Sequence, residues 1–181
     1  NHQRFVSLNM LTSTEHPKFA CVFPGQGSQS LGMMTGYGDF PIVRQTFVEG
    51  SDVLGEDFWA LVNNGPADRL NQTINTQPLM LIAGIAVYRA WQSLGAPQPA
   101  LLAGHSLGEY SALVASGAMD FADALPLVRF RAQIMQQAVP EDVGAMAAIL
   151  GLDDEVVKAV CEEITNSSNG ELLEPANFNS P

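Results

Sequence analysis

Residues 103–109, "AGHSLGE", hold a serine in the spacing Gly-x-Ser-x-Gly, with Ser106 at its centre. A short apolar run of the kind that makes a buried strand precedes it, and an apolar-rich helical stretch follows. A serine at such a strand-to-helix turn sits on strained backbone, and the flanking glycines let the chain segments approach closely. Its hydroxyl is lifted out of the sheet, and the backbone N–H groups that follow point at it. That suits a nucleophile for acyl transfer, provided something takes its proton. His105 is the obvious neighbour, but adjacent residues at a strand end project to opposite sides. His105 is therefore expected to point away from Ser106 and to support the site from behind.

Two further features bear on the same chemistry. In "FPGQGSQ" (23–29) a strand ends in Gly25-Gln26-Gly27, whose exposed N–H groups would suit either a phosphate or the oxyanion of an acyl-transfer intermediate. The lysine of a phosphate-binding loop is absent, and a plain turn is the alternative reading. If this loop follows a second strand of the same sheet, it lies beside Ser106. The other feature is Arg131. On a helix over 120–138, Ala124, Leu127, Val128, Ile134, Met135 and Ala138 fall on the side of Arg131, while Arg129 points to the polar side with Gln133 and Gln136. A guanidinium cannot shed its proton, so burial demands a carboxylate partner. That partner is either an internal Asp or Glu, or the substrate itself, held in a bidentate pair.

Composition sets the frame for these residues. The chain has 181 residues, 46% of them hydrophobic, enough for one sizeable core. The longest apolar candidate for a membrane span, 78–91, is short and carries Arg89, so it reads as a buried helix. Cys21 and Cys161 lie far apart without metal-ligand spacing, which fits a reducing compartment, and no metal site is expected. The cytoplasm is the expected location. Eight Lys and Arg against nineteen Asp and Glu give a formal charge of −11, a field that repels nucleic acid and anionic membranes. A phosphate-bearing ligand would need a local basic patch.

The elements that must position these residues alternate between strand and helix, which makes the fold class α/β. Residues 1–17 read as a tail; Met10 is a candidate start, which makes the first nine residues an added remnant. A strand is expected at 18–23, helices at 41–54, 57–63 and 78–94, a strand at 99–103 and a helix at 107–116. Asp120 is placed to cap the next helix, which runs to about residue 138 and is closed by Pro140. Residues 144–152, "GAMAAILGL", read as a strand, Asp153 as the cap of an amphipathic helix, and "NSSNGE" as a turn. This late strand and helix begin a second, smaller unit.

"FPGQGSQ", "NTQPLMLIAGIAVYRAW", "GHSLGEYSALVASGAMDFADAL" and the "RxxIMQQA" pattern from Arg131 closely resemble the malonyl-CoA:acyl-carrier-protein transacylases of fatty-acid synthesis and the related acyltransferase domains of polyketide synthases. The resemblance runs from about Lys18 to the end. It implies an α/β-hydrolase-like larger subdomain (18–141) and an inserted ferredoxin-like small one beginning at 142–181, both incomplete in this chain. It also implies Ser106 as the acylated nucleophile, backbone N–H groups of Gln26 and Leu107 as the oxyanion hole, Arg131 on the malonyl carboxylate and Gln77 near the site. The implied substrates are malonyl-CoA and the phosphopantetheine thiol of acyl carrier protein, with no cofactor, and a monomer when complete. The family's base is a histidine well downstream of the serine, and here only His2 and His16 accompany His105. The sequence thus looks like the first half of a transacylase. A serine hydrolase or thioesterase, and an inactive fragment lacking its histidine, are the competing readings.

Overall fold

The computed structural model describes residues 18–138 and 143–179. Residues 1–17, with Met10, His2 and His16, and Pro140 lie outside the described residues. The chain divides into two compact units, Asn1–Pro140 and Glu141–Pro181.

The first unit is built around a parallel pair of strands, β1 (Ala20–Phe23) and β2 (Leu101–Gly104), in the register Ala20 to Leu101 through Phe23 to Gly104. A parallel pair needs a long crossover, because its two starts lie at the same end of the sheet. Here the crossover is wholly helical: α1 (Pro41–Leu54), α2 (Phe58–Asn64), α3 (Ala67–Asn71) and α4 (Thr73–Ser93). After β2 come α5 (Leu107–Ala115) and α6 (Phe121–Ala138).

The centre of the unit is α4, and α1, α5 and α6 all pack on it. Its run Leu79 to Ala83 is buried without a break, as expected of a helix that is apolar nearly all round. Against it α1 presents Val43, Thr46, Phe47 and Gly50, a stripe at three- and four-residue spacing. The stripe brings α1 close: a Cβ at Gly50 would stand 2.7 Å from Ile82 Cδ1. Phe47 also meets the Trp59 ring edge-on, with centroids 5.1 Å apart.

Sequence periodicity starts this helix at residue 78, where Pro78 suits a first turn, but α4 begins five residues earlier and carries Pro78 inside. Side chains hold the added turn. Thr76 Oγ1 donates to the carbonyls of Leu70 (2.6 Å) and Gln72 (3.0 Å), and Asn75 Nδ2 donates to the Arg69 carbonyl at 2.9 Å. These bonds offset the donor that proline lacks. This extra turn carries Thr73 and Gln77.

In the second unit, residues 144–152 form no strand. A strand exists by pairing, and among the described residues only β1 and β2 pair. Helix α7 (Asp154–Ser167) does follow Asp153, whose carbonyl accepts from the N–H groups of Val156 and Val157, but its side chain makes no capping bond. The helix also runs two residues into "NSSNGE", ending where Ser168 turns extended. Thr165 Oγ1 and the backbone of Leu173 exchange two bonds of 3.0 Å, folding the following segment back on α7.

Phe47→Ala empties a fully buried aromatic site between α1, α2 and α4. We expect a loss of about 3–5 kcal/mol of unfolding free energy in urea titration, with the denaturant slope unchanged.

Candidate functional site

Both strands end at one edge, and the loops leaving them meet there. Gly25 follows β1 and Ser106 follows β2; a Cβ at Gly25 would lie 3.0 Å from the His105 carbonyl oxygen and 3.9 Å from the Leu107 nitrogen. The Gly25-Gln26-Gly27 turn is thus pressed against the serine turn, as a shared sheet edge requires.

Ser106 occupies the N-cap position of α5 with φ 53° and ψ −112°, and among the described residues no other non-glycine has positive φ. Such a conformation costs a side chain about 1–3 kcal/mol, so neighbouring contacts must hold it. The contacts are backbone to backbone. A Cβ on Gly108 would stand 2.1 Å from the Phe23 carbonyl oxygen, and one on Gly104 would stand 2.0 Å from the Gly108 carbonyl carbon. The Gly108 N–H donates to the His105 carbonyl at 2.9 Å, closing the turn. Ser106 and His105 are exposed at the sheet edge, and the Leu107 N–H opens the helix beside them.

Ser106 is held from across the site. Arg131 Nη2 donates to Ser106 Oγ at 3.0 Å, and Nη1 donates to Gln77 Oε1 at 2.6 Å. The guanidinium lies 5.9 Å from the centre of the Tyr110 ring. Gln77, fully buried, directs its amide nitrogen to Gln26 Oε1 (3.4 Å) and to Met135 Sδ (3.3 Å). The structure therefore brings Ser106, Gln26, Leu107, Gln77 and Arg131 to one place.

The surroundings of Arg131 differ from the sequence expectation. It is partly exposed, and Leu127, Ile134 and Met135 on its side are each more than 40% exposed. The buried stripe of α6 is Phe121, Ala124, Leu125, Val128 and Ala132. The last turns of α6 lie beside the first turn of α4, where Gln136 accepts from the Ile74 N–H at 3.1 Å, and the cover thins there. Gln136 is thus not on a free polar face. Nor is Arg129, whose side chain is 18% exposed: it pairs with Glu56 at 2.6 Å, and Glu56 also pairs with Arg69. The internal carboxylate foreseen as one partner for Arg131 belongs to Arg129. Among the described residues Arg131 meets only neutral groups.

Sequence reasoning missed the helix-start residues that reach the glycine turn. Gln26 Nε2 donates to Thr73 Oγ1 at 3.0 Å, and Gln29 Nε2 to Asn71 Oδ1 at 3.0 Å. The polar run "NQT" at 71–73 was the available signal, but polar residues before a helix read equally well as caps. A hollow of about 510 Å³ beside Glu56, Arg69 and Arg129 is a different place, and its charges already satisfy one another. Among the described residues no His, Cys, Asp and Glu cluster could hold a metal ion, and no helix is long and apolar enough to cross a membrane.

A parallel pair with helical crossovers and a serine turn at the strand ends defines an α/β acyltransferase fold. The profile of the acyl transferase domain family matches residues 20–167, and the chain belongs to that family. It is 55% identical over 165 residues to the malonyl CoA-acyl carrier protein transacylase of Escherichia coli K12, covering 91% of this chain and 52% of that one. The Bacillus subtilis protein of the same name is 45% identical, with 91% and 51% covered. Among solved structures, an acyl-carrier-protein S-malonyltransferase from Burkholderia pseudomallei 1710b superposes with a TM-score of 0.84 at 61% identity, covering 91% of this chain and 53% of that one. A type II PKS acyl-carrier protein in complex with its malonyl-transacylase gives 0.84 at 54% identity, with the same coverage. The chain spans about half the length of the curated relatives it matches.

Gly108→Ala forces a Cβ into the Phe23 carbonyl, where no side chain can move aside. We expect it to cost about 3 kcal/mol or more in chemical denaturation, against about 0.5 kcal/mol or less for Gly36→Ala, whose Cβ meets open space.

Proposed function

We propose that the protein to which this chain belongs transfers a malonyl group from coenzyme A to the phosphopantetheine thiol of acyl carrier protein, in fatty-acid synthesis, through a malonyl-serine on Ser106. The observation that carries this reading is a guanidinium joined to the nucleophile and to a buried amide, with neutral partners only among the described residues. A cation so placed is one carboxylate short, and malonyl brings that carboxylate attached to the thioester under attack.

In the first half-reaction Ser106 Oγ loses its proton to a base and bonds to the thioester carbonyl carbon. The carbonyl oxygen becomes an oxyanion received by the N–H groups of Gln26 and Leu107. The carbon–sulfur bond then breaks, and coenzyme A leaves as the thiol with the proton. In the second, the carrier protein's thiol attacks the malonyl-serine, its proton passing back to Ser106. We assign the base to the downstream histidine that the family resemblance implies. Ser106 Oγ here accepts from Arg131, a group that can only donate. His105, at the edge behind the serine, supports the turn.

Within the same reading, the first unit is the start of an α/β-hydrolase-like subdomain and the second the start of a ferredoxin-like one. The reaction needs no cofactor, the enzyme works as a cytoplasmic monomer, and neither nucleic acid nor membrane is a partner. With a charge of −11 on this chain, the basic surface for coenzyme A and an acidic carrier lies elsewhere in the protein.

Arg131→Ala in the full-length protein should lower kcat/KM for malonyl-CoA about a hundredfold and raise acetyl transfer relative to malonyl, since a carboxylate left unpaired costs about 2–3 kcal/mol. Mass spectrometry of the Ser106 peptide after each acyl-CoA checks this; an unchanged malonyl preference refutes the role. Product analysis with and without a thiol acceptor separates transfer from hydrolysis.

A further inference from the structure

The oxyanion donor assigned to Gln26 sits on a glycine turn, and a donor contributes only if it is already in place when charge develops. Turns of this kind are soft, so something outside the turn must fix it. Gly25 abuts the serine turn, but a Cβ at Gly27, where φ is 102°, would meet nothing within 4 Å, so the turn is open on that side. A set of side-chain hydrogen bonds ties it to the end of α3 and the start of α4. Gln26 Nε2 donates to Thr73 Oγ1 at 3.0 Å, while Gln26 Oε1 accepts from Gln77 Nε2 at 3.4 Å. Gln29 Oε1 accepts from the Gly27 N–H at 2.8 Å, and Gln29 Nε2 donates to Asn71 Oδ1 at 3.0 Å.

The direction of each bond is forced. Arg131 has only donors, so Gln77 must turn its oxygen to Arg131 and its nitrogen to Gln26. Gln26 must then turn its oxygen to Gln77, which leaves its amide nitrogen facing Thr73, where only an acceptor satisfies it. One oriented chain thus runs from Thr73 through Gln26 and Gln77 to Arg131 and ends on Ser106. Thr73 is its one terminus away from the nucleophile, and Thr73 Oγ1 touches none of Ser106, Leu107 or Arg131 in this set.

We propose, on the basis of the functional reading above, that Thr73 is a positioning residue that locks the Gln26 donor in register with Ser106 and so acts on the acyl-transfer transition state. Valine at this position keeps the shape of threonine and removes the acceptor oxygen, while serine keeps the oxygen. Because the contact fixes a donor for developing charge and not a substrate group, its loss falls on kcat and leaves substrate binding alone.

The test compares wild type, Thr73→Val and Thr73→Ser in the full-length protein, by malonyl transfer kinetics and by hydrogen exchange of the Gln26 and Gly27 amides. We expect Thr73→Val to lower kcat about tenfold to thirtyfold with KM for malonyl-CoA within about twofold, and Thr73→Ser to stay within about twofold of wild type. Faster exchange of the two amides in Thr73→Val, but not in Thr73→Ser, accompanies it. A Thr73→Val enzyme with wild-type kcat, a loss carried by KM, or a Thr73→Ser enzyme as slow as Thr73→Val overturns the proposal. Wild type that transfers no malonyl overturns the functional reading instead, and amide exchange alone then decides the tether: unchanged exchange in Thr73→Val refutes it, faster exchange upholds it.

Discussion

Three backbone segments meet at the sheet edge more closely than any side chain would allow. The end of β1 at Phe23, the end of β2 at Gly104 and the first turn of α5 at Gly108 are separated by less than a Cβ contact. That proximity stabilises a positive φ at Ser106, which a serine does not adopt unaided. It also fixes where the glycine turn after β1 must lie, because that turn leaves the neighbouring strand. The parallel register of β1 with β2 therefore sets the spacing between the serine turn and the glycine turn. Phe23 at the end of β1 packs with Tyr88 of α4 and Ala112 of α5, with Cys21 and Leu102 against them, and so ties the strand pair to the helices.

Around this edge the fold distributes its few cations unequally. Arg69 and Arg129 share Glu56, and Arg89 has Glu49, whereas among the described residues Arg44 lies over the Trp59 ring and Arg131 meets a serine, an amide and an aromatic ring. Its exposure is what makes this tolerable: a partly solvated guanidinium keeps some water until a carboxylate replaces it, and a fully buried one would not. In the function proposed here, selectivity follows from the mismatch between that cation and any acyl group without charge. Gln77 links that cation to the glycine turn, so the parts that would receive the two negative charges of the substrate are joined within the protein.

Much of this was legible in the residues. The serine turn, both strands and helices α1, α2, α5 and α6 lie near where patterning put them, because each depends on neighbours a few residues away. The start of α4 was misjudged because Pro78 is a local signal for a helix beginning, while the bonds from Thr76 and Asn75 that override it reach back to α3. Residues 144–152 have the composition of a strand, but a strand is a relation between two segments and only one of them is visible in a pattern. The two arginines of α6 were assigned by angle alone. The angles put Arg131 in the middle of the apolar stripe, but the buried stripe of α6 runs through Phe121, Ala124, Leu125, Val128 and Ala132, and the two arginines flank it on either side.

The amino-acid order by itself determined which groups can do chemistry: a serine between glycines, a glycine turn able to present N–H groups, and an arginine on the apolar side of a helix. These are properties of single residues and of turns closed within a few positions. Tertiary structure alone decided that the arginine beside the serine meets no carboxylate among the described residues, and that Thr73 and Asn71 hold the glycine turn. Those outcomes rest on contacts between residues some forty to seventy positions apart, where only the packing of α4 against α1, α5 and α6 sets what touches what.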